Sequence, residues 1–373
     1  MNKSKSISNT NKKLKAVSLF AGAGGMDVGF TNAGYDVVWA NELMKHAAAT
    51  YRTNHPRAYL AEGSITDYVD NLPTQDIHCV FGGPPCQGFS VAGKMDPNDP
   101  RSKLVFEFMN VVEKISPQIF VMENVKALAK LDKFEKIRIE LLKKAISLGY
   151  TADFHLLNAK DFGVPQSRER VFFIGFKREL KKKMTRFHFK RYELAPSPMR
   201  SIFEILGPAG TEINPLTCKA KITLAANPIL RRSPYAGMLF NGMGRPINMS
   251  AVSATLPASM GGNKTPIVDE LMLINPSENW VENYHSAILE KKIIPKFASA
   301  PAHLRRLTIK EAALIQTFPK DYVFEGPYSA QYSQIGNAVP CMLAEAVARA
   351  VLDVMSGFDQ YTEEAQKELD LQI

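Results

Sequence analysis

The chain has 373 residues, of which 45% are hydrophobic and 22% are charged, and its formal net charge at pH 7 is +9. This hydrophobic content excludes a disordered chain, and the length predicts a large core and a second domain. The positive charge favours a polyanionic partner, without choosing between DNA, RNA and anionic lipid.

The cysteines, the histidines and the apolar residues exclude further classes of protein. The four cysteines show no C-x-x-C spacing and the seven histidines form no H-E-x-x-H motif, so no metal site is predicted. No apolar run approaches the ~20 residues needed to span a bilayer, and residues 1–13 lack the apolar segment of a signal peptide. We therefore expect a cytoplasmic protein with reduced thiols and no membrane partner.

The amino-terminal half alternates short apolar strands with amphipathic helices. The clearest predicted strands are residues 17–20, 37–40, 77–81, 119–122 and 171–176. Helices are predicted from near Met26, over residues 104–115 and over residues 133–148. This alternation predicts an α/β fold with a doubly wound, mainly parallel sheet. In such sheets ligands bind at the carboxyl ends of the strands.

A glycine-rich turn follows the first strand. Gly22, Gly24 and Gly25 lead into a helix, which is the pattern of a nucleotide-type pocket. Glu42 ends the next strand, roughly twenty residues further on, where an acidic residue can bind a ribose hydroxyl in such folds. The dinucleotide fingerprint G-x-G-x-x-G nevertheless fails, because Asp27 stands where its third glycine should be. A nicotinamide cofactor is therefore disfavoured.

The strand at residues 77–81 leads into the segment Gly82-Gly83-Pro84-Pro85-Cys86. Glycines let the backbone approach a ligand closely, and the two prolines fix φ, so the Cys86 thiol points one way. A nucleophile is expected in this position. Taken alone, such a cysteine is more often a small residue that fills space.

The first domain is predicted to span residues 14–180. After it, the composition of the chain changes and the alternation of strands and helices ends. Residues 181–303 are rich in proline, glycine and irregular stretches, which predicts a separate loop-rich domain. Residues 304–330 are predicted to form a hinge, with a helical entry over 304–318 that is capped by Thr308 and Glu311. Residues 331–373 are expected to return to the first domain, with an amphipathic helix at 337–355.

A basic run spans the boundary between the two predicted domains. It contains Lys177, Arg178, Lys181, Lys182, Lys183, Arg186, Lys190 and Arg191, with Phe187 and Phe189 interleaved. One interpretation is an edge that contacts phosphates, with salt-dependent binding that is indifferent to sequence. The other is a solvated face, which is the commoner case.

Five separated motifs carry a resemblance to a known family. They are residues 20–25, the Pro85-Cys86 turn, Glu123-Asn124-Val125, residues 166–170 and residues 334–339. Together, and in this order, they resemble the cytosine carbon-5 DNA methyltransferases of bacterial restriction-modification systems. The resemblance implies the fold of S-adenosyl-L-methionine-dependent methyltransferases, with a smaller recognition domain. It also implies methylation of double-stranded DNA in a specific sequence and a cognate restriction endonuclease as a functional partner.

The chemistry of this family requires a thiol. Carbon 5 of cytosine is a poor nucleophile until a thiolate adds to carbon 6, and cysteine is both a strong nucleophile and a good leaving group. Cys86 is assigned this role. The resemblance places Glu123 at N3 and the exocyclic amine of cytosine, Arg170 at O2, and Arg168 against the loop that carries Cys86. Burial at the end of a strand is expected to raise the pKa of Glu123 enough to hold a proton at neutral pH.

Each of these residues, if seen alone, has a plainer interpretation. Glu123 and Asn124 would fit the region of a helix N-cap. Arg168 and Arg170 would fit a surface cluster of salt bridges. The catalytic interpretation therefore depends on finding these side chains together.

The resemblance also implies S-adenosyl-L-methionine as the cofactor, bound by ten residues. They are Phe20, Ala21, Gly22, Gly25, Glu42, Ser64, Ile65, Pro85, Leu104 and Asn337. The methionine part is expected over the glycine turn, and the ribose on Glu42. Ser64 departs from the family, which commonly has an acidic residue there to accept a hydrogen bond from the adenine amine. Ser64 can still form a hydrogen bond and Asp67 follows three residues later, but weaker affinity is expected.

DNA contacts are expected in two segments. A cytosine in a duplex must be extruded before its carbon 6 can meet a thiol, and the segment 90–103 is suited to closing over it. Gln87, Ser90 and Arg101 are the expected contacts there. Residues 255–265 resemble the recognition loops of the family, with Thr255, Asn263 and Lys264 as the contacts. An ordinary glycine turn is an equally good interpretation of that segment.

Two other functions remain open from the sequence. One is a transfer RNA cytosine methyltransferase of the same fold, which the sizeable middle domain disfavours. The other is a DNA-binding regulator without catalysis, which the joint presence of Cys86, Glu123 and Arg170 disfavours.

Overall fold

The computed structural model describes residues 13–85, 103–275 and 277–357. Seven strands in this part of the chain form one sheet. They are Lys15–Leu19 (β1), Asp36–Glu42 (β2), Tyr59–Glu62 (β3), Cys79–Gly82 (β4), Ile119–Val125 (β5), Tyr150–Asn158 (β6) and Glu169–Lys177 (β7). Their order is β3-β2-β1-β4-β5-β7-β6; the first five are parallel, and β7 is antiparallel to β5 and β6. The predicted mainly parallel α/β sheet is confirmed.

The sequence did not predict β3 and β6, which lie at the two edges of this sheet. Central strands are buried on both faces and therefore appear as continuous apolar runs. β3 and β6 instead mix exposed and half-buried residues. Their apolar signal was therefore too weak to predict a strand.

Twelve helices accompany the strands in the described part of the chain. They are Gly25–Ala33 (α1), Lys45–Asn54 (α2), Leu104–Ile115 (α3), Lys126–Lys130 (α4), Glu135–Ser147 (α5), Arg186–Lys190 (α6), Met199–Leu206 (α7), Glu270–Ile274 (α8), Trp280–Leu289 (α9), Ile309–Ile315 (α10), Tyr328–Asn337 (α11) and Cys341–Met355 (α12). The predicted helices at Met26, 104–115 and 133–148 are confirmed as α1, α3 and α5. None of the helices described is both long and apolar enough to cross a membrane.

The large sheet is covered on both faces. On one face α1 and α12 pack over β1 and β4, where the rings of Phe30 and Phe81 stack 3.9 Å apart. On the other face α3 and α5 pack over β5, where Phe120 is enclosed by Phe108 and Tyr150. Each fully buried aromatic side chain stabilises the fold by roughly 2–3 kcal/mol. The rigid sheet thus provides one fixed edge at the carboxyl ends of its parallel strands.

The second half of the chain has a small core of its own. Thr223–Ile229 (β8), Met238–Phe240 (β9) and Ala298–Ser299 (β11) form a three-stranded antiparallel sheet. Ile267–Asp269 (β10) pairs with Leu304–Arg306 (β12). Leu239, Phe240 and Val281 are the centre of the apolar cluster between these strands and α9. The region predicted to be loop-rich therefore has short strands and helices around a separate core.

The predicted first residues of two helices, 304 and 337, are wrong. Residues 304–306 form β12 and not a helix, because they pair with β10; the helix α10 starts only after Thr308, whose predicted capping box with Glu311 is confirmed. Asn337 ends α11, and α12 begins at Cys341. Pro340 explains this break, because proline inside a helix removes a hydrogen bond and clashes with the preceding turn.

The basic run lies on the first domain. Lys177 lies over the ring of Tyr150, at 4.4 Å from its centroid, and Arg178 donates to the carbonyl of Ile146 near the end of α5. Phe189 is buried in the core beside α12. Phe189 is therefore a core residue, whereas Phe187 is only half-buried. Because Met184 and Phe189 both belong to this core, the chain still packs on the first domain beyond residue 181.

Candidate active site

The carboxyl edge of the large sheet gathers most of the predicted site residues. Because β3, β2, β1, β4 and β5 are parallel neighbours, the residues that follow them lie side by side. In that order the edge presents Ser64, Glu42, the turn at 20–25, the segment 83–85 and Glu123.

The glycine turn after β1 is held against the end of β2. Phe20, Gly22 and Gly24 have φ angles of 53°, 57° and 83°, a region that glycine adopts without strain. The Gly22 N–H donates to Oε2 of Glu42 at 2.7 Å, and the Met44 N–H donates to Oε1 at 2.7 Å. Burial raises the pKa of Glu42, although these N–H groups oppose the rise. The carboxylate has about four acceptor positions, and these two N–H groups together with that of Leu43 do not fill them all.

A buried polar network packs against the glycine turn. Asp27 accepts hydrogen bonds from the hydroxyls of Ser18, at 3.0 Å, and Tyr51, at 2.8 Å. Burial raises the pKa of Asp27 to about 7. The Tyr322 hydroxyl donates to the carbonyl of Ala23, within the turn itself. The turn is therefore fixed before any ligand binds.

His55 closes the outer side of the turn. Its Nε2 lies 2.9 Å from the Tyr322 hydroxyl, and burial lowers its pKa to about 4. A Cβ atom at Gly24 would lie 2.3 Å from that same nitrogen. No side chain fits at Gly24, so this glycine is required by packing.

A small cavity of about 50 Å³ lies between the glycine turn and the end of β4. Its walls are Ser18, Leu19, Phe20, Ala21, Met26, Asp27, Gly82, Gly83 and Val339. A larger cavity, of about 380 Å³, lies against Trp39, Tyr59 and Tyr68, and no predicted site residue lines it. The smaller cavity is the one that matters for the site, because its walls join the glycine turn to the segment that leads to Cys86.

Ser64 and Ile65 follow β3 at the far side of the same edge. Ile65 is buried, and the Ser64 hydroxyl lies 2.7 Å from that of Thr66. Asp67 is exposed one residue further on. Ser64 is therefore placed beside Glu42, as expected for a residue near the ribose and base of a nucleoside.

Glu123 and Arg170 form a largely buried ion pair. Glu123 lies on β5 and Arg170 on β7, on the same face of this antiparallel pair. Arg170 Nε lies 2.8 Å from Glu123 Oε1, with side-chain exposures of 14% and 11%. Burial raises the pKa of Glu123, while the charges of Arg170 and Arg168 oppose the rise. The predicted rise in the pKa of Glu123 is confirmed, and the interpretation as a surface cluster is wrong. Glu123 and Asn124 do directly precede the N-cap of α4, which is Val125.

The segment that leads to Cys86 lies against Glu123. A Cβ atom at Gly83 would lie 2.9 Å from Glu123 Oε2, so only glycine leaves room for the carboxylate. The Asn124 side chain donates to the carbonyl of Pro84 at 3.2 Å. Pro85 is half-buried and is the last described residue before Cys86. Cys86, Gln87, Ser90 and Arg101 lie outside the described residues.

Arg168 joins three distant parts of the chain. Its guanidinium donates to the carbonyls of Leu256, at 3.3 Å, Gly336, at 2.9 Å, and Asn337, at 3.4 Å. The side chain is buried. The expected contact with the loop of Cys86 falls outside the described residues. The contacts seen instead tie the segment 255–265 to the end of α11.

The remaining predicted residues lie around this centre. Leu104 is half-buried at the start of α3, and Asn337 is exposed at the end of α11. Thr255 donates through its hydroxyl to the carbonyl of Ser167 at 2.7 Å. Asn263 and Lys264 are exposed on the segment 255–265.

Sequence reasoning missed the support beneath the glycine turn. Asp27 appeared only as a residue that breaks a fingerprint, while His55 and Tyr322 carried no motif. One signal was present: Asp27 lies among small and apolar residues in the first turn of α1. A charged residue in such surroundings is rarely buried without a partner, and here Ser18 and Tyr51 are its partners.

The chain is similar to the proteins of one known family. The family described as C-5 cytosine-specific DNA methylase matches residues 14–353. The chain is 34% identical over 350 residues to the type II methyltransferase M1.HphI of Haemophilus parahaemolyticus, covering 91% of this chain and 87% of that protein. It is 31% identical over 364 residues to the type II methyltransferase M.FnuDI of Fusobacterium nucleatum, covering 95% and 98%.

Among solved structures, the fold is similar to that of an E. coli prophage protein assigned as a DNA modification methyltransferase. The TM-score is 0.66 at 21% identity, over 92% of this chain and 100% of that one. At this identity the likeness supports the fold alone.

Proposed function

Because the chain belongs to the C-5 cytosine-specific DNA methylase family, we propose that it methylates carbon 5 of cytosine in one specific duplex sequence, through a covalent Cys86 adduct on an extruded base. The observation that carries this proposal is the Glu123–Arg170 ion pair against Gly83. This pair puts a carboxyl group and a guanidinium beside the segment that leads to Cys86, the proposed nucleophile.

The cofactor proposed is S-adenosyl-L-methionine, and the described residues fit it. A Cβ atom at Gly22 would meet no atom within 4 Å, so the turn leaves open space above its backbone. Glu42 keeps lone pairs for ribose hydroxyls, and Ser64 is next to it. When bound, the cofactor supplies an electrophilic methyl group on a sulfonium sulfur. Phe20, Ala21, Gly25, Ile65, Pro85, Leu104 and Asn337 would complete its site.

The thiolate of Cys86 is proposed to form a bond from its sulfur to carbon 6 of the cytosine. The electron pair of the 5,6 double bond then makes carbon 5 nucleophilic, and negative charge builds toward N3 and O2. Glu123 supplies a proton at N3, and Arg170 places its charge near O2. After carbon 5 is methylated, a water molecule takes the proton of carbon 5, and the electron pair of that C–H bond re-forms the 5,6 double bond. The bond between sulfur and carbon 6 breaks, which releases the thiolate, and N3 returns its proton to Glu123.

The ion pair between Glu123 and Arg170 supports these two roles. Arg170 fixes the position of the carboxyl group, and the raised pKa of Glu123 favours the protonated form that a proton donor needs. Arg170 contributes a planar guanidinium with a delocalised positive charge. The two side chains therefore suit different atoms of one pyrimidine ring.

The proposed biological setting is a restriction-modification system with a cognate endonuclease as a functional partner. Its support is that the two relatives above are type II methyltransferases. Bisulfite sequencing of DNA from cells that express the chain would identify the methylated sequence.

A trapping experiment tests the covalent step. A duplex with 5-fluorocytosine at the mapped target cannot lose a proton from carbon 5, so enzyme and DNA should stay joined on a denaturing gel when the cofactor is supplied. Cys86→Ala should abolish both the joined species and methyl transfer. Cys218→Ala is the matched control, because Cys218 is a half-buried cysteine in the second domain, and it should still trap.

Two outcomes would contradict the proposal. Normal transfer by Cys86→Ala would exclude the thiol mechanism. Transfer of labelled methyl groups to transfer RNA and not to duplex DNA would identify the RNA enzyme of the same fold, and no transfer to either would favour the DNA-binding regulator.

A further inference from the structure

The basic run, residues 177–191, lies far from the candidate active site. Arg170 of that site lies near the start of β7, whereas Lys177 ends the same strand. Phe176, beside Lys177, pairs with Ile119 at the first residue of β5, which is the amino end of that strand. The seven residues of extended strand from Arg170 to Lys177 correspond to roughly 23 Å. The run therefore does not belong to the residues that surround the site.

Much of the positive charge of the basic run faces solvent. The run has eight cationic side chains and one acidic residue, Glu179. Arg191 pairs with Asp353 of α12 at 3.1 Å. Among the described residues, no ion pair joins a carboxylate to four exposed members of the run, which are Lys181, Lys183, Arg186 and Lys190. Like charges gathered in this way repel each other, so an anionic segment bound there would be stabilising.

Helix α12 ends beside this run. Phe189 of the run packs in the same apolar core as Val354 of α12. A Cβ atom at Gly357, which is two residues past the end of α12, would lie 3.8 Å from Nζ of Lys182. The chain therefore leaves α12 among the cationic side chains of the run.

The segment after Gly357 has the opposite charge. Residues 358–373, which we call the acidic tail, lie outside the described residues. They contain five acidic residues and one lysine, which is a net charge of −4 in a chain whose total is +9. The acidic residues are Asp359, Glu363, Glu364, Glu368 and Asp370.

The acidic tail is long enough to reach the whole run. Its sixteen residues can span at most about 55 Å. No member of the run is more than nine residues from Lys182, which limits the distance to about 32 Å. A short tether also holds a segment near its binding site at an effective concentration on the order of mM. Even weak ion pairs would therefore keep much of the tail bound.

We propose that the acidic tail binds to the basic run of the same molecule and competes there with nucleic acid. Its carboxylates pair with the exposed cations at 181, 183, 186 and 190. A duplex bound to this face would occupy the protein without approaching the candidate active site, and the tail prevents such binding. The proposal does not depend on the proposed reaction, because it concerns only charge and position.

A duplex that contains only dA and dT tests this competition. It has no cytosine, so its affinity reports charge contacts and not recognition of a target. Changing Glu363, Glu364 and Glu368 together to glutamine should raise the affinity for this duplex by about tenfold at about 0.1 M salt. The salt dependence of log K should become steeper by roughly two to three units, because the run then contacts phosphates. Filter binding measures both quantities.

The matched control removes the same charge from another surface. Asp132→Asn, Glu135→Gln and Glu140→Gln are combined at exposed residues before and at the start of α5. The basic run meets α5 near its other end, where Arg178 donates to Ile146. The helix is about 20 Å long, which is about two Debye lengths at 0.1 M salt. This control should bind the dA and dT duplex within about twofold of the wild type.

A third variant locates the effect on the run. Lys181→Gln, Lys183→Gln and Lys190→Gln are combined in the full chain. In this background the three changes in the tail should not alter the affinity further, since the tail has lost its binding partners. Circular dichroism checks that every variant is folded.

Chemical crosslinking tests the contact itself. A carbodiimide joins a carboxylate to the amine of a lysine beside it. Mass spectrometry of the wild-type monomer band should find the acidic tail joined to Lys181, Lys183 or Lys190. In the variant with a neutralised tail, these products should decrease severalfold.

Three results would overturn the proposal. One is an equal affinity of the wild type and the tail variant for the dA and dT duplex. Another is an effect of the tail that persists after the run is neutralised, since the tail would then act elsewhere. The third is crosslinks in a dimer band alone, which would show an exchange between two copies of the chain. Each of them would leave the proposed function standing, because no residue changed here lies in the candidate active site.

Discussion

The two functional regions of this molecule are built in different ways. The catalytic edge consists of residues in or directly after buried parallel strands, such as Glu42 at the end of β2 and Glu123 in β5. The proposed recognition surface consists of the irregular segment 255–265, whose backbone groups form hydrogen bonds with Gln166, Arg168 and Gly244. Strands of the sheet hold the proposed catalytic side chains in position. Hydrogen bonds to the main chain hold the segment that is proposed to contact DNA. Mutations should therefore affect the two regions separately.

The largest effect is expected for Glu123→Gln, which changes a proposed catalytic residue and leaves the proposed DNA-binding segment unchanged. Glutamine keeps the shape of glutamate but cannot transfer a proton. The rate of methyl transfer at saturating DNA should fall by about 100-fold to 10,000-fold, while the affinities for cofactor and DNA stay close to those of the wild type. Single-turnover transfer of labelled methyl groups measures the rate, and calorimetry measures cofactor binding.

Glu169→Gln is the matched control for Glu123→Gln. Glu169 is close by in β7, but its partner is Lys126 at the surface. Surface ion pairs contribute little, so this variant should transfer methyl groups at nearly the wild-type rate. A loss below tenfold for Glu123→Gln, or equal losses in both variants, would show that the buried pair is structural only.

A smaller effect is expected for Asp27→Asn, which tests the support of the catalytic edge without touching the recognition surface. Burial raises the folded-state pKa of Asp27 from 3.8 to about 7. Its protonated form therefore stabilises the fold below about pH 4, and this contribution is lost as the pH rises through about 7. Asparagine cannot ionise. The free energy of unfolding of the variant, relative to the wild type, should rise by roughly 2 kcal/mol between about pH 5 and pH 8.

Urea unfolding at a series of pH values measures this difference. Asp70→Asn is the surface control, at an exposed residue that pairs with Lys114. For this variant the difference in the free energy of unfolding from the wild type should change much less with pH. Parallel curves for the wild type and Asp27→Asn would mean that Asp27 does not change its protonation over this range.

The smallest effect is expected for Lys264→Ala, which changes the recognition surface alone. If Lys264 contacts a phosphate, DNA affinity should weaken by a few fold, and the salt dependence of log K should lose roughly one unit of slope. The transfer rate at saturating DNA should not change. Filter binding over a range of salt concentrations measures the slope. Lys143→Ala, an exposed lysine on α5, should leave the slope as it is, and an unchanged slope for Lys264→Ala would exclude the contact.

The difference between the regular sheet and the irregular segments also explains which parts of the fold and of the site the sequence could predict. The central strands of the large sheet were predicted because burial on both faces makes them continuously apolar, and the residues after them could be placed at one edge. Glu123 could be placed at this edge in that way, whereas Arg170 was expected beside it because of the chemistry and the resemblance to the family. No local pattern predicts the contact between Gly83 and Glu123, because it joins residues 40 positions apart through the pairing of β4 with β5.

The second half was predicted less well for a related reason. β9, β10 and β12 have three residues each, which is too short for a periodic signal. The turn at residues 241–245 depends on the close approach of Gly242 to Asn263 and of Gly244 to Arg306, which only the folded chain reveals. Its sequence, a methionine between two glycines, indicates a turn but not the left-handed conformation of Met243.

Arg168 has a consequence for how such enzymes diverge. The partners described for its guanidinium are main-chain carbonyls, those of Leu256, Gly336 and Asn337. Every residue has a main-chain carbonyl, whatever its side chain. The hydrogen bonds from Arg168 therefore do not depend on which side chains the segment 255–265 carries. Substitutions in the proposed recognition segment can therefore accumulate while the large sheet and the proposed catalytic residues stay attached to it in the same position.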